Sequence, residues 1–127
     1  MGSMYLLDTH VVLWALKYPE RLGPKTLNII KNEPHFISVV SVWEITIKAR
    51  AGKLRVPQPY KDVITLLGSK TLPITLEHVH QLSDIKLPHN DPFDAMLIAQ
   101  VKSERLTLIT SDRLLLDSPY SVRMASL

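Results

Sequence analysis

The sequence predicts an α/β fold, a three-layer sandwich around a mostly parallel central sheet, and three observations lead there. Short apolar runs of strand length recur at residues 4–7, 36–39, 72–74 and 106–110. Between them lie segments whose apolar residues repeat at helical spacing, and strands that alternate with helices pair in parallel across helical crossovers. The chain has 127 residues and 46% hydrophobic content, enough for one core and too little for two, so residues 4–127 read as a single domain.

Each element has its own justification. Residues 4–7 are an apolar run ending at Asp8, after which Val11, Val12, Leu13, Trp14 and Leu16 suit a helix that Pro19 closes. Met1, Gly2 and Ser3, ahead of a second methionine, read as a leftover of recombinant expression outside the fold. Pro24 opens a second helix with Leu27, Ile29 and Ile30 as its apolar face, and Asn32-Glu33-Pro34 ends it. A buried strand follows over residues 36–39. Residues 41–51 then form a helix that stops at Gly52 and carries Lys48, Arg50 and Lys53 near its close, where cations complement the helix dipole.

Residues 54–59 contain two prolines and read as a loop, residues 60–67 as a helix ending at Gly68, and residues 72–74 as a short strand. Thr75 caps a helix through Leu82, and the polar stretch 83–90 reads as a loop at the edge of a site. Residues 92–101 are the clearest helix, with proline early and Phe93, Met96, Leu97, Ile98 and Val101 apolar. Residues 106–110 are the clearest strand; residues 113–116 suit one helical turn and 120–124 a final edge strand.

Composition narrows the chemistry. No cysteine is present, which removes disulfides and thiolate metal sites and suits a reducing cytoplasm. No run approaches the ~20 apolar residues of a membrane span, and the start of the chain lacks a signal-peptide pattern; a cytoplasmic protein with no membrane partner is expected. The net charge of +3 and pI near 9.3 mildly favour a polyanionic partner.

Four acids, Asp8, Glu44, Asp94 and Asp112, stand at junctions where a strand or a cap hands over to a helix. In a parallel sheet such junctions share the carboxyl edge. Each acid also has a structural explanation: Ser41-x-x-Glu44 matches a capping box, Asp91-x-x-Asp94 is its aspartate analogue, and Asp8 and Asp112 can cap the helices that follow. Together, however, they repel. Two carboxylates ~4 Å apart at an effective dielectric of ~20 cost ~4 kcal/mol, more than caps return, unless a cation intervenes. Oxygen donors without thiolates point to Mg²⁺, with Mn²⁺ as the alternative, and to phosphoryl transfer; one ion or two is left open. Thr9, Thr110 and Ser111 lie beside the acids and can support the site or cap backbone groups.

The five histidines lack the i, i+4 spacing of a zinc site and are read as non-ligands, and Trp43 is assigned to a core-facing helix side. Lys48, Arg50, Lys53 and Arg55 form the densest basic cluster, with Arg105 and Arg113 as further contributors to phosphate binding.

At these residues the chain resembles PIN domains, and among them the VapC-like ribonuclease toxins of toxin-antitoxin pairs. The motifs are Leu6-Leu7-Asp8-Thr9-His10; Ser41-Val42-Trp43-Glu44-Ile45 with Lys48 and Gly52-Lys53-Leu54; His89-Asn90-Asp91-Pro92-Phe93-Asp94 with Leu97-Ile98-Ala99-Gln100; and Thr110-Ser111-Asp112. The resemblance covers nearly the whole chain from Met4. It implies a PIN-like fold and a Mg²⁺- or Mn²⁺-dependent endoribonuclease cutting single-stranded RNA, in which Asp8, Glu44, Asp94 and Asp112 are catalytic, hold the metal and activate water, with Asp91 assisting. It also implies a homodimer held in check by a cognate antitoxin. Two other readings stand beside it: a DNA nuclease or phosphatase with the same metal chemistry, and a non-catalytic dimeric interaction module whose acids are helix caps.

Overall fold

The computed structural model describes residues 4–56 and 60–127. The expectation for Met1 to Ser3, and the loop assignment at 57–59, lie outside the described residues.

Five short strands build the sheet: β1 (Tyr5–Leu7), β2 (His35–Ser38), β3 (Lys70–Leu72), β4 (Thr107–Thr110) and β5 (Val122–Met124). Their order is β3-β2-β1-β4-β5 and every pairing is parallel, so the sheet is more uniform than the mostly parallel one expected. The chain leaves β1 toward β2 and β3, then crosses back to β4 and β5. The order therefore reverses between β1 and β4, and a crevice opens at their carboxyl ends.

Alternation along the strands divides the core in two. Leu7, Ile37 and Ile109 face α1 (Thr9–Lys17), α2 (Pro24–Asn32) and α4 (Val63–Leu66), where Val11, Val12, Ile29 and Val63 are buried. Leu6, Leu72 and Leu108 face the other layer, filled by Leu97, Ile98 and Val101 of α6 (Pro92–Glu104) and Leu115 of α7 (Arg113–Leu116). The third connecting helix, α3 (Val39–Arg50), contributes Ile45 to the first core and Val40 to the second, so it spans the carboxyl edge. A short α5 (Leu76–Gln81) packs against α6.

Three expectations move. The α3 helix starts at Val39 because Ser38, not Ser41, caps it: Ser38 Oγ accepts the Val40 N–H at 3.0 Å. Ser41 and Glu44 therefore lie inside the helix, and the capping box assigned to them does not form. The third strand lies at Lys70–Leu72 rather than 72–74, since Pro73 has no N–H to give the ladder. Beyond α5 the chain tightens into a 3-10 turn over Leu82–Asp84 instead of continuing as one helix. The end of α3 is as expected: the Gly52 N–H reaches the Ala49 carbonyl and the Lys53 N–H the Lys48 carbonyl, with Gly52 at φ +71°.

Candidate active site

Asp8 directly follows β1 and turns the chain into α1. Its backbone is extended, and its Oδ1 accepts the Thr9 N–H at 2.7 Å. Its Oδ2 accepts the Thr110 hydroxyl at 2.5 Å, a bond that ties the ends of β1 and β4 together across the crevice. Thr110 Oγ1 in turn accepts the Asp112 N–H, and Asp112 Oδ1 accepts the Leu114 N–H as the cap of α7. Glu44 reaches in from α3. Its Oε1 accepts the Thr9 hydroxyl at 2.7 Å and its Oε2 lies 2.5 Å from Lys48 Nζ; Thr9 Oγ1 also sits 3.0 Å from Ser41 Oγ. Both Asp8 and Glu44 are only 3% exposed.

On the other wall, Asp91 caps α6, accepting the N–H groups of Phe93 and Asp94. The expected reciprocal bond from Asp94 is missing because the Asp91 N–H goes instead to His89 Nδ1 at 3.3 Å. Asp94 is thus freed from capping. Its carboxylate accepts no hydrogen bond among the described residues, and His89 Nε2 lies 3.4 Å from its Oδ2.

These elements bring Asp8, Glu44, Asp91, Asp94 and Asp112 together with His10 and His89 around one cleft of ≈ 350 Å³. A larger cavity, ≈ 680 Å³, opens near the amino ends of β2 and β3, but Glu33 is its only carboxylate among the described residues. Chemistry, not size, selects the smaller cleft.

The electrostatics record the crowding. Burial, then the charges of Asp8, Asp91, Glu44 and Asp112, push the Asp94 carboxyl up to about 8. Burial likewise raises Asp8 above the usual carboxylate range, against the pull of its Thr110 and Thr9 hydrogen bonds and of His10. The hydrogen bond to Glu44 holds the Lys48 ammonium above its ordinary value.

The remaining predicted residues divide. Thr9 and Thr110 hold acids in place, whereas Ser111 is half-buried and does not line the cleft. Lys48 enters the acidic cluster. Arg55 lines an adjacent pocket with His10, Leu13 and Trp14, while Arg50, Lys53 and Arg113 are exposed away from the cleft lining. Arg105 closes α6 at the end opposite Asp94, about 16 Å along the helix, and does not line the cleft. Trp43 is not a core residue: it is 52% exposed and meets Phe93 edge-on at 5.1 Å.

His10 and His89, read from the sequence as non-ligands, both line the cleft, and His89 lies beside two of its acids. Its Nε2 lies 3.4 Å from Asp94 Oδ2 and 3.6 Å from Asp112 Oδ2, is buried, and has no hydrogen-bond partner. Ligand atoms of His89, Asp94 and Asp112 all fall within 4.8 Å of one another, spacing that suits a cation. Because Nδ1 accepts the Asp91 N–H, the neutral ring carries its proton on Nε2 and aims it at the two carboxylates. The donor set that fits a hard divalent cation is therefore the carboxylates, above all the unpaired Asp94.

The PIN domain family pattern matches residues 5–117. Solved structures with the same fold include the VapBC2 complex of Rickettsia felis bound to a promoter DNA fragment, at 14% identity and a TM-score of 0.72, covering 95% of this chain and 98% of that one. DNA-bound VapBC from Salmonella typhimurium matches at 16% identity and 0.69, over 97% of each chain. FitAcB from Neisseria gonorrhoeae matches at 18% and 0.63, over 94% of this chain and 96% of that one. No curated protein matches the sequence.

Proposed function

The chain belongs to the PIN domain family, and on that premise we propose that it is a divalent-metal-dependent endoribonuclease that cuts single-stranded RNA as the toxin of a toxin-antitoxin pair. PIN domains are generally nucleases. The observation that carries the reading is the convergence of Asp8, Glu44, Asp94 and Asp112 on one cleft in which the Asp94 carboxylate accepts no hydrogen bond among the described residues.

Asp8, Asp94, Glu44 and Asp112 are the residues proposed to hold Mg²⁺ or Mn²⁺, with Asp91 at the rim. When bound, the ion neutralises the clustered charge and activates water for attack at phosphorus. The protein's part is to present the acids: the Thr110 and Thr9 contacts fix Asp8, the Thr9 hydroxyl fixes one oxygen of Glu44, and the caps of α6 and α7 set Asp91 and Asp112. The alternative of acids as mere caps accounts for Asp8, Asp91 and Asp112. It leaves Glu44, buried mid-helix, and Asp94 without a purpose.

A cognate antitoxin is the proposed protein partner, supported by the fold shared with VapBC complexes. A homodimer is supported by Val39, Trp43 and Ile47, apolar and exposed at i, i+4 steps along α3. An RNA-cutting role implies the cytoplasm, and no helix among the described residues is long and apolar enough to cross a membrane.

The test is a cleavage assay on RNA and DNA side by side, with Mg²⁺ or Mn²⁺ and with chelator. RNA is expected to be cut only with metal, and Asp8→Asn or Asp94→Asn to slow cutting by about 10²-fold or more. Undiminished cutting by either variant would sink the assignment, and preferential cutting of DNA would move the substrate.

A further inference from the structure

The chain carries fifteen lysines and arginines, yet among the described residues only Lys48 forms an ion pair with an acid. The glutamate of that pair, Glu44, lines the acidic cleft. On an exposed helix face an i, i+4 Glu-Lys pair contributes little, but here the glutamate is buried and faces four other carboxylates. Lys48 Nζ is held 2.5 Å from Glu44 Oε2, feels the charges of Asp91 and Asp94, and lies 6.0 Å from the Phe93 ring centroid.

The consequence is that the acids are not equally available. Both oxygens of Glu44 are engaged, one by the Thr9 hydroxyl and the other by the ammonium. Among the described residues the Asp94 carboxylate accepts no hydrogen bond and Asp112 Oδ2 accepts none, both lying beside His89 Nε2 at 3.4 and 3.6 Å. A cation arriving at the cleft meets Asp94 and Asp112 open and Glu44 already neutralised. The Lys48 side chain is more than a third exposed and ends in a compact charge on a flexible stem. It can swing away without moving α3, while Thr9 keeps Glu44 in place.

We propose that Lys48 is a resident counter-cation of the cleft: its ammonium competes with the divalent cation for Glu44 and, once displaced, meets a phosphate of the bound strand. Before metal arrives the ammonium offsets the repulsion among the acids. Afterwards the same charge serves the substrate, so one side chain covers both states of the site. The proposal rests on the metal-dependent reading of the cleft.

Calorimetric titration of Mn²⁺ alone into nucleic-acid-free protein tests it, comparing the wild type with Lys48→Met, Lys48→Gln and Lys48→Arg. Removing a unit charge beside a doubly charged ion should tighten Mn²⁺ binding about tenfold in the two neutral variants and leave Lys48→Arg near wild type. With RNA at saturating Mn²⁺, the neutral variants should show KM raised by about tenfold, with Lys48→Arg restoring most of it. Neutral variants that bind Mn²⁺ no more tightly than the wild type overturn the role of Lys48 and leave the metal reading intact. A wild type that binds no Mn²⁺ overturns the metal reading itself.

Discussion

Asp94 sits in an environment far from that of a free carboxylate, and the departure has a sign. In the folded chain its carboxyl titrates at about 8 against an ordinary 3.8, so folding takes up a proton across that interval. A raised carboxylate contributes stability that is full below its ordinary value and lost as the pH climbs through about 8. Asp8, also raised, adds in the same direction. Metal-free protein is therefore expected to melt at progressively lower temperature between about pH 5 and about 9. Asp94→Asn should flatten that profile and melt higher than the wild type at the alkaline end, because a functional site stores repulsion that a neutral side chain relieves. Mg²⁺ should restore the wild type at high pH and leave the variant unmoved. Thermal melts with and without chelator decide it; a wild-type melting temperature that rises with pH would contradict the crowding of the acids.

The helices aim the acids, and one junction shows how closely that frame is packed. Gly23 caps α2, and its N–H donates to the Ala125 carbonyl while the Lys25 and Thr26 N–H groups share the Leu127 carbonyl. A Cβ at Gly23 would stand 2.1 Å from Leu127 O and 2.2 Å from Ser126 O, both backbone atoms. Gly23→Ala should therefore cost about 1–3 kcal/mol in denaturant unfolding, with the surface exposed on unfolding unchanged and RNA cutting retained below the new melting point. Nothing in the sequence signals that contact, because the glycine matters through a segment about a hundred residues away. The same limit explains the other misses. Apolar runs marked β1, β2 and β4 closely and misplaced β3 by two residues, and Asp91-Pro92 marked the start of α6 directly. The shift of α3 to Val39 turned on whether Ser38 or Ser41 caps it, a choice between similar residues three apart. His89 was hidden because its contacts with Asp94 and Asp112 depend on the shape of the loop before α6 and on a helix reached through β4. Chain order puts Asp8 and Asp112 at strand ends and Asp94 in the first turn of α6, so those acids were legible as junction residues; Glu44 lies inside α3 and does not cap it.

Across the molecule the charge is divided rather than merely positive. Five of the twelve acids gather in the cleft and Lys48 pairs with one of them, so seven acids remain against fourteen lysines and arginines over the rest of the chain. On the proposed function, a single-stranded polyanion would be drawn to the surface around a cleft that repels it until a divalent cation arrives. Beyond Lys48, Arg55 and Lys17 line a pocket that shares His10 with the cleft and also contains Trp14 and Tyr18, and Arg55 tests whether the strand runs there. In the cleavage-defective Asp94→Asn background, binding to a short single-stranded RNA should weaken with salt along a log-log line whose slope is about −0.7 per phosphate contacted. Arg55→Ala should make that slope shallower by about 0.7. Arg105→Ala, at the far end of α6, removes the same charge from the whole molecule and should leave the slope as it was. Fluorescence anisotropy over a salt series reads all three proteins. Equal changes in both variants would mean that net charge alone attracts the RNA; a change confined to Arg55→Ala would mean that the strand follows a track running from that pocket past His10 to the acids.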